Sequence, residues 1–289
     1  MNFGSVLTAM VTPFNEEGKI DFPKTTALIE HLIANGSDGL VVAGTTGESP
    51  TLSSQEKLAL FDHVVRIVDH RVPVIAGTGN NNTAASISLT KEAESLGVDG
   101  ILLVTPYYNK PNQSGLYEHF ATIAKSTMLP IMLYNIPGRS VISLHVDTII
   151  KLSQIPNVVS IKDSSGNLDL ITTIIDKTSE EFTVYSGDDS LGLPIMAVGG
   201  TGIVSVASHI VGNEIKMMLT SYQQGNVEES GRIHRNLLPL MKGLFIAPSP
   251  APVKAVLNFK GIEVGSVRLP LVPLNDLELE QLKQLCEKI

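Results

Sequence analysis

Residues 39–76 read GLVVAGTTGESPTLSSQEKLALFDHVVRIVDHRVPVIA, and they hold one complete strand–helix–strand unit. Gly39–Ala43 and Val72–Ala76 are short apolar runs of strand length with glycine at their edges. Between them, Ser53-Ser54-Gln55-Glu56 is a capping box, in which a serine oxygen and a glutamate three positions on satisfy each other's backbone N–H groups. Leu58, Phe61, Val64, Val65 and Val68 follow, spaced for one face of a helix. Two strands joined through a helix pair in parallel by a right-handed crossover.

The unit recurs in both directions. Strands are expected near Leu7–Val11, Gly39–Ala43, Val72–Ala76, Gly100–Thr105, Ile131–Asn135, Val158–Lys162, Phe182–Ser186 and Gly202–Ser205. Their starts lie roughly 20 to 35 residues apart, the size of one βα unit. Asp21 caps a further helix carrying Leu28, Ile29, Leu32 and Ile33, with Gly36 as its stop. Eight such runs predict an α/β chain folded as a (β/α)8 barrel, the TIM barrel, rather than a sandwich. Residues 1–222 are expected to form a catalytic barrel and 223–289 a C-terminal helical appendage packed on it. The tail reads as helices at Asn213–Gln224 and Val227–Met241, a Pro-rich turn PSPAPVK, and a last helix ending at Ile289.

Composition narrows the class of protein. The 289 residues are 43% hydrophobic and only 17% charged, which excludes a disordered chain or a coiled coil. A net charge of −8 argues against nonspecific binding to nucleic acid or to an anionic membrane surface. The lone Cys286 can form neither an intramolecular disulfide nor a cysteine-based zinc site, so a reducing cytoplasm is the expected setting. The start MNFGSVLTAM lacks the pattern of a signal peptide, and no apolar run approaches the ~20 residues of a spanning helix.

A barrel of this kind carries function at the C-terminal ends of its strands. Those ends hold Thr12, GTTGES (44–49), GTGNNN (77–82), TPYYN (105–109), YNIPGR (134–139), KDSSG (162–166) and SGDDS (186–190). Lys162 stands out among them. Alternation in VVSIKD places Val158, Ser160 and Lys162 on one face and Val159, Ile161 and Asp163 on the other, so outward Val159 and Ile161 turn Lys162 into the barrel. Burial disfavours its charged form, and a free amine in a dry pocket is what carbonyl attack and Schiff-base formation require. A lysine whose tip reaches the rim or pairs with Asp163 or Asp188 is the structural alternative.

Met132, Tyr134 and Ile136 share a face one strand earlier, so the Tyr134 phenol can shuttle protons beside that amine or serve as a core residue with one hydrogen bond. The adjacent Tyr107 and Tyr108 point opposite ways. GTTGES offers the Thr45 and Thr46 hydroxyls and consecutive N–H groups before a helix, suited to an anion or to an ordinary turn. Arg139 is a candidate carboxylate clamp, or a surface arginine.

Other chemistries lack their residues. The seven histidines form no zinc cluster, GTGNNN lacks the third glycine of a dinucleotide fingerprint, and neither a GxxxxGK[ST] loop nor a G-x-S-x-G elbow is present. Lysine chemistry on carboxylated carbonyl compounds remains, with no cofactor and no metal.

GTTGES, TPYYNKP, YNIPGR, IKDSSG and SGDD, in this order across essentially the whole chain, resemble the dihydrodipicolinate (4-hydroxy-tetrahydrodipicolinate) synthases of the pyruvate-dependent lyase superfamily. An arginine at position 139 resembles those synthases more than N-acetylneuraminate lyase or the 2-keto-3-deoxy sugar-acid aldolases, the nearest alternatives. A non-enzymatic scaffold barrel would be favoured by loss of Lys162 or Tyr134, and both are present. The resemblance implies pyruvate and L-aspartate 4-semialdehyde as substrates, in diaminopimelate and lysine biosynthesis. It implies Lys162 as the imine-forming nucleophile and Tyr134 as proton carrier, linked through Thr45 to Tyr108 of a neighbouring subunit. Thr46 and the Val204 backbone would hold the pyruvate carboxylate, Arg139 the semialdehyde carboxylate, and Gly187 would keep the pocket floor open. A homodimer or homotetramer follows. Ser249 stands where several relatives carry Asn. In lysine-inhibited relatives the interface cleft carries histidines and a glutamate where this chain has Ser54, Lys57 and Ala85, while Asn81 and Tyr107 are kept. Insensitivity to lysine is therefore expected.

Overall fold

The computed structural model describes residues 3–287. Eight parallel strands close in sequence order into one barrel: β1 Val6–Ala9, β2 Gly39–Val42, β3 Val74–Gly77, β4 Gly100–Val104, β5 Ile131–Asn135, β6 Val158–Asp163, β7 Thr183–Ser186 and β8 Gly202–Ser205, with β8 pairing back onto β1. Helices alternate with the strands and surround them, as the repeat of βα units predicts.

Strand ends shift by one or two residues, for local reasons. β3 starts after Pro73, which has no N–H to offer a ladder and contributes only its carbonyl, to Leu40 N. β1 stops short of Val11, whose N–H is taken by His209 Nε2 at 3.1 Å. The Ser53 capping box forms in both directions, Glu56 N to Ser53 Oγ at 3.2 Å and Ser53 N to Glu56 Oε2 at 2.9 Å. Asp21 caps its helix through Lys24 N, and Gly36 follows that helix at φ +87°.

Alternation along the strands divides the apolar side chains into two layers. Val6, Leu40, Val74, Ile101, Leu133, Ile161, Val184 and Ile203 face the helices. Phe3, Leu7, Ala9, Val41, Ile75, Leu102, Met132, Tyr134, Tyr185 and Val204 fill the barrel. β6 departs from strict alternation. Its register against β5 slips between Ile131↔Val158 and Met132↔Ser160, so Val159 is the extra residue of a bulge. Val158 therefore packs outward and Val159 against the barrel interior, the reverse of the period-two expectation. Ile161 and Lys162, beyond the slip, keep the expected sides.

The C-terminal helices run over Ser208–Gln223, Val227–Gly243, Ala251–Phe259 and Asp276–Cys286. The first begins five residues before the expected Asn213 and bends at Val211. PSPAPVK is not a turn throughout, because a helix starts inside it with Pro252 in its first turn, where the missing N–H costs nothing. The end of the last expected helix, Ile289, lies outside the described residues. Leu237, Leu240, Val253, Leu257 and Leu282 join the layer that faces the barrel helices. Among the described residues no helix is long and apolar enough to cross a membrane.

Candidate active site

A cleft of about 260 Å³ opens at the C-terminal ends of β2 to β5, with Thr45, Tyr107, Tyr134 and Arg139 on its walls. Tyr134 and Lys162 come together because the β5–β6 register pairs them directly. Lys162 is 5% exposed, and its Nζ lies 4.1 Å from the centroid of the Tyr134 ring. Among the described residues it makes no ion pair. Asp163 instead accepts from Asn135 Nδ2 at 2.8 Å and from Ser165 N and Oγ, while Asp188 accepts from Ser190. The pairing alternative for Lys162 is thereby removed.

The Asn135–Asp163 bond was not anticipated from the sequence. It bridges β5 and β6 one residue past Tyr134 and Lys162, and Asn135 Oδ1 also accepts from Leu144 N. Its signal was present: each member directly follows a candidate catalytic residue on its strand.

Gly187 follows β7 and donates its N–H to Asp163 O at 2.7 Å. A Cβ on it would overlap the Ser164 hydroxyl and stand 2.9 Å from Lys162 Cε. The glycine therefore leaves room for the lysine stem, a closer reason than the expected open floor.

Three contacts hold the GTTGES turn from both ends of the chain. Thr12 Oγ1 donates to Gly47 O at 2.7 Å. Glu48, left-handed at φ +57° and buried, accepts from Lys254 Nζ at 2.7 Å and from Arg268 N at 2.8 Å. Lys254 also donates to Ser266 O, and it lies over the Phe14 ring alongside Arg268. Burial pushes the Lys254 amine down to about 8, against the opposing pull of Glu48. Arg268 grips Glu56 with its guanidinium and holds that carboxyl below its ordinary value. No local pattern signals this network, since Glu48 and Lys254 are 206 positions apart. Ser249, the departure noted in PSPAPVK, is buried just ahead of the helix that carries Lys254.

The remaining candidates divide. Thr46 and Val204 are buried and lie off the cleft lining, whereas Arg139, on the short helix Pro137–Ser140, is exposed on its wall without an ion pair among the described residues. Tyr107 stays with the cleft, its carbonyl accepting from Asn81 Nδ2 at 3.1 Å and from Asn109 N at 2.9 Å. The second bond closes a three-residue turn around Tyr108, whose φ is +73° and whose side chain is 89% exposed. A bulky aromatic held in that region is strained. Tyr108 thus stands apart from Tyr134 and Thr45 within one chain.

Three comparisons place this geometry among known proteins. A curated 4-hydroxy-tetrahydrodipicolinate synthase of Halalkalibacterium halodurans is 60% identical over 283 residues, covering 98% of this chain and 96% of the relative. The crystal structure of a dihydrodipicolinate synthase from Bacillus anthracis superposes with a TM-score of 0.99 at 56% identity, covering 100% of this chain and 99% of that one. The enzyme from Cyanidioschyzon merolae, crystallised with lysine bound, gives 0.98 at 46% identity, with 99% and 98% covered. Residues 2–289 match the model of the dihydrodipicolinate synthetase family, and this chain belongs to that family.

Proposed function

We propose that this chain condenses pyruvate with L-aspartate 4-semialdehyde to give 4-hydroxy-tetrahydrodipicolinate, through a Schiff base on Lys162, in the route to diaminopimelate and lysine. One observation carries the reading: a buried lysine amine with no ion pair among the described residues, 4.1 Å over a tyrosine that lines an open cleft. A primary amine held beside a phenol at an open cleft is placed to attack a carbonyl carbon as a nucleophile.

In this reading Lys162 adds to the pyruvate ketone and loses water to form an imine. Loss of a methyl proton gives an enamine, whose carbon bonds to the aldehyde carbon. The product's own amine then displaces Lys162 as the ring closes. Tyr134 carries the protons, its ring standing beside the amine. Thr46 and the Val204 backbone hold the pyruvate carboxylate, Gly187 admits the lysine stem, and Arg139 binds the semialdehyde carboxylate from the cleft wall. A planar guanidinium there suits a second carboxylated substrate, which supports the synthase over a sugar-acid lyase.

Thr45 relays protons from Tyr134 to Tyr108 of a second copy, since the 89% exposed Tyr108 of the same chain stands away from its own cleft. The active form is then a homodimer, or a homotetramer built from such dimers. Residues 1–222 serve as the catalytic barrel and 223–289 as the helical region packed on it, in a cytoplasmic enzyme.

Borohydride reduction in the presence of pyruvate tests the central step. It should add one three-carbon unit, found by peptide mapping on Lys162; labelling of another lysine would overturn the assignment. Aspartate semialdehyde, and neither sialic acid nor 2-keto-3-deoxygluconate, should then turn over.

A further inference from the structure

Ser164 Oγ is buried and has no hydrogen-bond partner among the described residues. A buried hydroxyl left unpaired costs stability and calls for a reason. Its N–H is donated to Asn135 O at 2.8 Å, which fixes the position while the hydroxyl is left over. Two residues after Lys162 and past the bulge, Ser164 falls on the same side as that lysine. Ser164 Oγ and Lys162 Cε are the two atoms nearest the point where a Cβ on Gly187 would stand, so both crowd one small volume beside that glycine.

We propose that the Ser164 hydroxyl serves the lysine chemistry directly, donating a hydrogen bond to the oxygen that leaves the ketone carbon as the imine forms. The inference rests on Lys162 being the nucleophile. In that step the amine lone pair forms the C–N bond and the carbonyl π pair moves to oxygen. A proton passes from nitrogen to that oxygen, and a second one comes from Tyr134. The C–O bond then breaks, water departs with the bonding pair, and the nitrogen lone pair closes C=N to leave a protonated imine. Ser164 transfers no proton in this sequence. No group among the described residues competes for its hydrogen, so the hydroxyl can turn to the tetrahedral oxygen as charge develops there.

A second unpaired buried hydroxyl, Ser160 Oγ, provides the control. It lies deeper on β6, paired in register with Met132 of the barrel interior and away from Gly187.

The experiment measures the rate at which pyruvate is trapped on the enzyme by borohydride, together with the melting temperature. Ser164→Ala is expected to slow trapping by roughly three- to tenfold, the worth of one hydrogen bond, and to leave the melting temperature equal or higher. Ser164→Gly should match that loss of rate, and Ser160→Ala should leave the rate unchanged. Trapping by Ser164→Ala at the wild-type rate would overturn the proposal, as would slowing that only accompanies a lower melting temperature. If the wild-type protein itself is not trapped at Lys162, the nucleophile assignment fails and Ser164 falls with it.

Discussion

Two lysines, Lys162 on the barrel strand β6 and Lys254 in the C-terminal helix Ala251–Phe259, are 5% and 2% exposed, and each lies over an aromatic ring, yet they differ in their polar partners. Lys254 has a carboxylate at 2.7 Å, a backbone carbonyl at 2.8 Å and a phenylalanine ring beneath it. Lys162 has a tyrosine ring and, among the described residues, no ion pair. At Lys254 the partners hold the amine, and the lysine becomes a tie between the GTTGES turn and the end of the chain. At Lys162 no carboxylate among the described residues holds the amine, and it is left facing the Tyr134 ring. Depth alone does not separate the two lysines; their partners do.

The largest effect expected from this difference is on activity. Lys162→Ala should lower turnover at least about a thousandfold, because no other group supplies the nucleophile. The protein should stay folded, with unfolding free energy changed by no more than about 2 kcal/mol, since the truncation leaves a cavity but breaks no ion pair among the described residues. Steady-state assay and chemical denaturation check both parts, and a large loss of stability would make Lys162 as structural as Lys254.

Lys254 is expected to behave the opposite way. Lys254→Met leaves Glu48 buried without its cation, a change that costs about 3–5 kcal/mol. Combining it with Glu48→Gln should recover much of that loss, because neither charge is then stranded. Denaturation of the two single variants and the double variant gives the coupling. Equal, additive losses would mean that the two residues act independently.

The contrast also explains what the sequence discloses. Lys162 is legible because its environment is mostly local: alternation within one strand turns it inward, and the βα repeat says which end of the barrel it occupies. The bulge at Val159 shows how narrow that reading is, since one inserted residue reverses the sides of Val158 and Val159 and leaves Lys162 correct only because it lies beyond the slip. Lys254 is illegible for the converse reason. Its partner is 206 positions away, and nothing in PSPAPVK distinguishes a buried tie from a surface lysine. Tyr108 lies between the two cases: its paired neighbour Tyr107 said that one of them points away, and the structure identifies which.

Arg139 extends the comparison to a cation that is exposed rather than buried, on the cleft wall with no ion pair among the described residues. Arg139→Ala should raise the apparent KM for the semialdehyde by about 10- to 100-fold, roughly 1.4–2.8 kcal/mol, with a much smaller change for pyruvate. Arg139→Lys should recover little, because an ammonium cannot bind a carboxylate through two parallel bonds. Equal effects on both substrates would make Arg139 structural.

A third lysine tests the same distinction where the expected effect is smallest. Lys57 is 8% exposed, makes no ion pair among the described residues, and has its amine pushed below the ordinary lysine value by burial. Unlike Lys162, it lies on a helix, Ser54–Val68, rather than on a barrel strand, so its lack of a partner has no catalytic reading. The resemblance that assigns Ser54, Lys57 and Ala85 to a lysine-binding cleft gives it another. A bound lysine needs carboxylates for two ammonium groups, and Ala85, exposed in the first turn of its helix, offers none. Lys57 adds a like charge, which in a partly desolvated cleft costs on the order of a few kcal/mol. A deficit of only about 2.8 kcal/mol weakens binding a hundredfold. Asn81 and Tyr107 persist, but Asn81 already spends its amide on the Tyr107 carbonyl, and neither side chain carries a charge to replace the missing one. Initial rates should therefore stay flat across a titration with L-lysine at physiological concentrations. Half-inhibition well below about 1 mM, where binding is worth more than about 4 kcal/mol, would show that acids such as Glu56, already held by Arg268, are freed to pair with the ligand, and that Lys57 is no barrier to it.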